Sequence, residues 1–378
     1  MASALSPEER RKISVQRILE DQFTLNVEFE EIERLDRGFN NHLYTVNLLP
    51  DTRSSRERVQ NEVAALAFVR QPLASLVRVP EVYAWSEGRG TDETPFIIME
   101  LLPRKPLDKI WPLLDLPSRL PILSQIADIL GALRSFQLPV PNTPCNYTFG
   151  GLAFSALGSI TTAMHPNSIG GPFTSAEGQW LSMLSSQIRC ADDNRFIQGW
   201  KSSDLRGRLD SFIDNDEGFR GLLRQVATEP VFIHGDFNCR NFLVCPDTHR
   251  MTGLLDFEFA RIGTAPEELI DGLEDFRDHA CVEPSPDGLD LHLLESKGWP
   301  CQISSNPVEL GCETARAWKN LVQLPIEGYG ATVKTYTFLD KLCPWYFCQE
   351  PWCNAHGMVA ERRIAESSLS DLLAAWGF

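Results

Sequence analysis

The sequence predicts an α+β protein built from two lobes. Residues 1–102 contain short apolar or alternating runs that are typical of strands, with one helical segment among them, whereas residues 103–378 are richer in long segments with apolar residues at helical spacing. The chain of 378 residues also exceeds the size of one small domain. We therefore expect a boundary at Leu102–Pro106, with one lobe on each side.

The pattern of the first lobe predicts four strands and one helix. Residues 27–35 and 42–48 predict a hairpin, because each run suits a strand and turn-forming residues separate the two. Valine, leucine and alanine recur at helical spacing in residues 56–70, which predicts a helix. Residues 80–85 and 95–101 predict two more strands.

The second lobe begins with an amphipathic segment. Apolar side chains recur on one face of residues 119–137, which predicts a helix. Residues 141–172 are rich in Pro, Gly, Asn, Ser and Thr and predict a long loop, and residues 174–228 return to helical patterns. Short apolar runs then predict the strands Val231–Asp236, Asn241–Cys245 and Met251–Asp256, before a mixed and mostly helical remainder from about residue 260.

Charge and composition restrict the partners of the protein. The chain has 35 Lys and Arg against 51 Asp and Glu, and its net charge of −16 disfavours non-specific binding to nucleic acid. No apolar run approaches the ~18 residues that a membrane span needs, and the N-terminal segment lacks the apolar region of a secretory signal. We therefore expect a cytoplasmic protein with reduced thiols and with no membrane or nucleic-acid partner.

Three of the ten cysteines lie close together near the C-terminus. Cys343, Cys348 and Cys353 precede His356 at spacings that differ from the usual ones of zinc sites. Aromatic residues lie between them. The pattern favours buried structural cysteines, with a metal site as the alternative.

The segment HGDFNCRN, residues 234–241, and the later segment LLDFEF, residues 254–259, carry the chemistry. Asp236 and Asp256 each follow a short apolar run, and Asn241 lies five residues after Asp236, so we expect all three at strand ends that face a cleft. Such oxygen ligands suit Mg²⁺ bound to nucleotide phosphates, and the spacing is that of a kinase site. A turn with solvated acids is the alternative, but the joint pattern favours catalysis.

These motifs resemble those of the aminoglycoside phosphotransferase family, which is related to choline kinases. The closest resemblance is to its fungal branch, and it covers most of residues 30–260 through RLDRGFNNHLY, RVQNEVAAL, VPEVYAW, PFIIMELLP and FIQGWK. The resemblance implies a bilobal, protein-kinase-like fold with a small antiparallel sheet in the N-lobe and a larger, mainly helical C-lobe. It also implies ATP, Mg²⁺ and transfer of a phosphoryl group to a hydroxyl of a small molecule.

The resemblance implies roles for the residues that match the family motifs. Asp236 would be the catalytic base, and Asn241 and Asp256 would hold the metal. His234 would brace the loop. Glu62 would orient a nucleotide-binding lysine from its helix, and an exposed helix charge is the alternative for this residue.

Two segments would contact the nucleotide. The loop over the phosphates would consist of Gly38, Phe39, Asn40 and Asn41. A simple hairpin turn explains these four residues almost as well, because they include only one glycine. The hinge that meets adenine through backbone groups would consist of Glu100, Leu101 and Leu102.

One segment departs from the family pattern. Residues 48–60, LLPDTRSSRERVQ, contain neither the lysine nor the strand that should hold the nucleotide phosphates. Arg53, Arg56 and Arg58 are the only basic candidates there, and we expect Arg58 on the helix. The departure predicts a slow enzyme and leaves a second hypothesis, a degenerate kinase-like protein that binds a nucleotide or a partner without efficient catalysis.

The stretch of residues 256–290 is strongly acidic. It contains eleven acids against Arg261 and Arg277. A cationic acceptor such as an aminoglycoside or a choline-like amine would suit this charge, but the pattern favours a solvated acidic insertion. The sequence does not identify the acceptor.

Overall fold

A computed structural model describes residues 12–13, 15–17, 32–34, 44–46, 56–88, 95–139, 148–201, 203–271, 314, 317–318, 320–322, 327–348, 353 and 357–378. Across these ranges the protein combines small antiparallel sheets with helices in a bilobal α+β arrangement. No helix in the same ranges is long and apolar enough to cross a bilayer.

The first lobe contains two antiparallel hairpins and one long helix. The hairpins pair β1 (Ile32–Arg34) with β2 (Tyr44–Val46), and β3 (Val82–Ser86) with β4 (Phe96–Met99). Helix α1 (Arg56–Leu73) packs against β3 and β4, and its Val59 and Val63 form a small core with Ile97 of β4. These elements confirm the predicted strands and helix of this lobe, including the position of Arg58 on the helix.

The second lobe is mainly helical. Its helices are α2 (Leu116–Arg134), α3 (Ala176–Asp193), α4 (Leu205–Asp214), α5 (Phe219–Leu223), α6 (Ala265–Asp271), α7 (Tyr329–Leu342) and α8 (Met358–Ala375). Its strands are β5 (Lys105–Pro106), β6 (Gly151–Phe154), β7 (Ile160–Ala163), β8 (Pro230–Ile233), β9 (Phe242–Val244), β10 (Met251–Leu254) and β11 (Arg261–Thr264). They pair antiparallel in the orders β10-β9-β5, β11-β8 and β6-β7.

Helix α2 begins slightly before its predicted start. The Asp115 side chain accepts a hydrogen bond from the Ser118 N–H at 3.1 Å, which satisfies a donor of the first turn. Two larger hydrophobic cores lie in the part of the chain that the structure describes. The first core buries the apolar face predicted for helix α2, together with residues of α1 and of β8 to β10. A second core joins α3, α4, α5, α7 and α8. The strand ends that carry the predicted site therefore lie on a packed scaffold.

The prediction of a continuous loop over residues 141–172 is wrong for the hairpin of β6 and β7. Its low strand propensity is overridden by packing, because β6 contacts helix α1 and the preceding Gly150 bridges to Ile262 of β11. The Gly150 N–H and carbonyl exchange bonds of 3.1 and 2.8 Å with Ile262. Strand β11 was also missed, because it is a four-residue strand directly before a helix.

Candidate active site

Asp236, Asn241 and Asp256 meet in one cluster. Asp236 follows β8, Asn241 precedes β9, and Asp256 follows β10. The Asn241 amide Nδ2 donates to the Asp236 Oδ2 and to its main-chain carbonyl, both at 2.8 Å. The Leu255 N–H donates to the Asn241 carbonyl at 2.9 Å, which brings the neighbouring Asp256 to the same place. Asn241 is thus hydrogen-bonded directly to Asp236 and, through the backbone, to the residue that precedes Asp256.

Two carboxamides hold the Asp236 carboxylate. Asn238 Nδ2 donates to Oδ1 at 2.5 Å, while Asn241 occupies Oδ2. Because each carboxylate oxygen can accept more than one hydrogen bond, both can still receive a hydroxyl proton. Asn238 was not predicted as a site residue. Its Oδ1 accepts from the Arg240 N–H at 3.0 Å, so it also shapes the loop between the strands.

His234 connects the two loops of the site. Its Nδ1 accepts from the Asp236 N–H at 3.3 Å, so the ring proton lies on Nε2, which donates to the Leu255 carbonyl at 2.9 Å. The ring is fully buried, and burial lowers the pKa of His234 to about 4, against the opposing effect of the Leu255 carbonyl. His234 is therefore neutral at physiological pH and fixes the backbone on both sides of the cluster.

Two unusual backbone conformations occur in this cluster. Gly235 has a φ of +79°, and a Cβ atom there would lie 2.4 Å from the Phe259 carbonyl oxygen. Only glycine allows the loop of Asp236 to approach the loop of Asp256 this closely. Asp256 has a φ of +63°, a left-handed conformation that non-glycine residues rarely adopt and that is found disproportionately at functional sites.

Helix α6 carries two buried carboxylates, and one of them contacts the loop of Asp236. Glu268 of α6 accepts hydrogen bonds from the His234 N–H and, at 3.1 Å, from the Gly235 N–H. At the start of α6, Glu267 accepts from the Thr264 N–H at 2.7 Å and pairs with Arg261 at 3.1 Å. Sequence reasoning missed the role of Glu268. The Thr264–Glu267 spacing is a sequence signal for the start of helix α6, and Glu268 is the next residue of that helix.

Part of the acidic stretch of residues 256–290 is buried inside the protein. Glu258, Glu267 and Glu268 are buried, so the favoured interpretation of a solvated insertion is wrong for these three residues. Their charges are also directed to partners inside the protein rather than to an incoming molecule. The part of the stretch beyond residue 271 lies outside the described residues.

The predicted residues of the first lobe are only partly described. Glu62 lies on α1 with 6% of its surface exposed, so the alternative of an exposed helix charge is wrong. Arg58 Nη1 lies 3.6 Å from the Glu258 carboxylate, its Nε donates to the Pro166 carbonyl at 3.3 Å, and its guanidinium covers the Phe259 ring. The predicted phosphate loop of Gly38, Phe39, Asn40 and Asn41 lies outside the described residues, as does Arg53.

The predicted hinge follows β4. The Glu100 N–H donates to the Glu81 carbonyl at 2.7 Å, so this donor is already used. The Leu101 side chain is 62% exposed, whereas the Leu102 side chain is buried. The segment therefore leaves the sheet of the first lobe with one side chain outside and one inside, and continues to β5 and the sheet of the second lobe.

The cysteine cluster of the C-terminal region contains a close pair. The Cys343 and Cys348 sulfurs lie 4.0 Å apart, and Cys353 contacts the carbonyls of Tyr346 and Phe347. Within the part of the chain that the structure describes, no three His, Cys, Asp or Glu side chains form a group that could hold a metal. His356 is outside that part.

A family model of the phosphotransferase enzyme family, APH, matches residues 31–300. The chain belongs to this family. The match confirms the predicted family, while the fungal branch stays a prediction. A search of curated proteins finds no match.

Solved structures of aminoglycoside phosphotransferases share the fold. The GDP and kanamycin complex of APH(2″)-IIIa is 16% identical with a TM-score of 0.54, and the alignment covers 96% of this chain and 99% of that chain. The streptomycin–ATP–APH(2″)-IIa ternary complex is 14% identical with a TM-score of 0.52, covering 98% and 97% of the two chains. These similarities confirm the bilobal α+β, protein-kinase-like fold.

Proposed function

We propose that the protein transfers the γ-phosphate of ATP to a hydroxyl of a small molecule, with Asp236 as the base. The observation that carries this proposal is the hydrogen-bonded pair of Asp236 and Asn241, together with the bond from Leu255 to Asn241 that places Asp256 next to this pair. Membership of the phosphotransferase family supports the reaction type. The solved relatives bound to GDP, ATP, kanamycin or streptomycin support a nucleotide donor and a small hydroxylated acceptor.

In this proposal Asp236 accepts the proton of the acceptor hydroxyl. Asn238 and Asn241 donate to its two carboxylate oxygens and hold the carboxylate in one orientation. A carboxylate held in this way is already oriented for the acceptor hydroxyl before the substrate binds. Such positioning is a large part of catalysis in phosphoryl transfer. Neither amide can transfer a proton to the phosphate, so Asn238 and Asn241 would act by orienting the Asp236 carboxylate.

Asp256 and Asn241 would hold Mg²⁺. The Asn241 amide nitrogen is used by Asp236, so Oδ1 is the atom that Asn241 could offer to a cation. A carboxylate and an amide oxygen fit the hard-oxygen preference of Mg²⁺, which takes few protein ligands and completes its shell with phosphates and water. When bound, Mg²⁺ would neutralise charge on the nucleotide phosphates.

The first lobe would bind the nucleotide. The loop of Gly38, Phe39, Asn40 and Asn41 would cover the phosphates. The backbone of Glu100, Leu101 and Leu102 would meet the base, and the position of these residues between the two lobes supports that assignment. Buried Glu62 would orient a cation, although residues 48–60 contain no lysine for it.

A second candidate is a kinase-like protein that binds a nucleotide without efficient catalysis. The observation that favours it is the engagement of Arg58, whose guanidinium lies against Glu258, Pro166 and Phe259. An arginine held by these partners is poorly placed to hold nucleotide phosphates as well. Loss of such a cation weakens the electrostatic stabilisation of the transferring group.

Calorimetry and turnover together test the two candidates. ATP, ADP and GDP are titrated into the protein with and without Mg²⁺, and ATP consumption is then measured with a panel of hydroxylated acceptors that includes cationic amines and neutral sugars. The proposal requires Mg²⁺-dependent nucleotide binding and acceptor-dependent ATP consumption. Binding without any turnover would support the second candidate, and absence of nucleotide binding would refute both.

A further inference from the structure

The loop that carries Asp256 is attached on both sides. Before Asp256, the Leu255 carbonyl accepts from His234 and the Leu255 N–H donates to Asn241. After Asp256, the Asn61 Nδ2 of helix α1 donates to the Glu258 carbonyl at 3.0 Å and to the Ala260 carbonyl at 2.9 Å. The first attachment belongs to the second lobe, whereas the second belongs to the long helix of the first lobe.

Asn61 is placed for this contact by a third bond. Its Oδ1 accepts from the Leu152 N–H of β6 at 2.6 Å, and the residue is 1% exposed. One side chain therefore joins helix α1, the β6 hairpin and the loop after Asp256. Arg58, one helical turn earlier, adds its contacts with Glu258 and with the Phe259 ring.

The conformation of Asp256 makes this attachment important. A non-glycine residue with a φ of +63° persists only where the surrounding structure fixes the backbone on both sides. Without Asn61, the segment of Glu258 and Ala260 would lose two hydrogen bonds to the first lobe, and the backbone at Asp256 could relax toward a common conformation. The Asp256 carboxylate would then change its position relative to Asn241, which Leu255 contacts.

We propose that Asn61 is a positioning residue for the metal carboxylate: it fixes the loop after Asp256 and thereby makes helix α1 part of the magnesium site. This inference rests on the proposed function of Asp256 as a metal ligand. It differs from the role expected for Glu62, because Asn61 acts on the second lobe rather than on a phosphate-binding cation. Residues that orient a ligand in this way commonly change metal affinity by ~10–100-fold.

Asn61→Asp is the sharpest variant. An aspartate keeps an oxygen for the Leu152 N–H but replaces the donor that faces the two carbonyls, so it breaks the attachment to the loop and leaves the one to β6. Asn194→Asp is a matched control. Asn194 is half-buried beside the second core. Its Oδ1 also accepts from backbone N–H groups, of Phe196 and Ile197, and its Nδ2 also donates to a carbonyl, that of Phe347 at 3.0 Å.

The readout is the Mg²⁺ concentration that half-saturates ADP binding in calorimetry, alongside thermal unfolding. We expect Asn61→Asp to raise this concentration by ~10-fold or more, while metal-free ADP affinity changes little. Asn194→Asp should lower thermal stability without changing the Mg²⁺ dependence. Asn61→Ser, a milder truncation, repeats the test if Asn61→Asp does not fold.

The outcomes separate the inference from the proposed function. If Asp256→Ala binds Mg·ADP as the wild type does, the metal site itself is wrongly assigned and the inference fails with it. If Asp256→Ala loses Mg²⁺-dependent binding but the folded Asn61 variants keep the wild-type Mg²⁺ dependence, only the inference is overturned. An equal change in the Asn194 variant would also overturn it, because the effect would then reflect general destabilisation.

Discussion

Acid should destabilise this protein through His234. The ring is fully buried and neutral, with its pKa lowered from 6.5 to about 4 by burial. Because this folded-state pKa lies below the unfolded-state value, the unfolded chain takes up a proton at a higher pH than the native protein does. The contribution of neutral His234 is therefore complete above pH 6.5 and is lost as the pH falls from about 6.5 toward about 4.

The magnitude follows from the two pKa values of His234. At about 1.4 kcal/mol per pH unit, the difference corresponds to about 3 kcal/mol at pH 4 and to about 2 kcal/mol at pH 5. Burial also lowers the pKa of His165, so this second histidine contributes in the same direction. The wild-type protein should lose stability steeply below pH 6.5, before most carboxylates protonate.

Urea denaturation at pH 7.5 and pH 5 measures the effect. His234→Gln removes the titrating group, while its amide can still donate toward the Leu255 carbonyl. We expect the variant to be less stable than wild type at pH 7.5, but to lose about 2 kcal/mol less than the wild type on going to pH 5. NMR of the His234 ring should show it neutral at pH 5. Equal losses in both proteins, or a protonated ring at pH 5, would refute the reasoning.

The remaining predictions concern catalysis and thiol chemistry. Asp236→Asn should remove nearly all turnover and leave Mg·ATP affinity near wild type, as measured by a coupled assay and calorimetry. Asp256→Ala should abolish Mg²⁺-dependent nucleotide binding. Wild-type turnover should lie well below the ~1–100 s⁻¹ typical of kinases, and kinase-like turnover would contradict the importance given to the missing lysine. Hydrogen peroxide should oxidise Cys343 and Cys348 to a disulfide and be reduced to water, because the Cys343 thiol lowers the pKa of exposed Cys348 to about 6. Mass spectrometry under non-reducing conditions should detect this disulfide, and Cys343→Ser should prevent its formation.

The cluster around Asp236 could be predicted because its members are close in sequence or follow strands. Asp236 and Asn241 are separated by five positions, and the chain between them is too short to place them far apart. Asp256 follows the strand that pairs with the strand after Asn241, so hairpin geometry brings it back to the same end. Local spacing and strand pairing therefore carried the information for these three residues.

Glu268 and Asn61 could not be found in the same way. Glu268 contacts His234 from 34 positions away, and Asn61 contacts Glu258 from 197 positions away. Their roles depend on how separate helices pack, which no local spacing encodes. Composition also misdirected the interpretation: buried Glu268 belongs to a run of acids that resembles a solvated surface, and the β6 hairpin lies in a segment rich in loop-forming residues.

The contacts of Arg58 connect the proposed metal site with the missing lysine. Arg58 is the candidate cation whose side chain the structure describes, and its guanidinium is directed to Glu258, Pro166 and Phe259. In the proposal made for Asn61, these contacts would help it to fix the loop after Asp256, and they would also hold Arg58 away from the nucleotide phosphates. The charge of the transferring group would then be met chiefly by Mg²⁺. A site that depends on the metal in this way should lose more activity from a displaced Asp256 than a site with its own phosphate-binding lysine, which makes the attachment through helix α1 more important here.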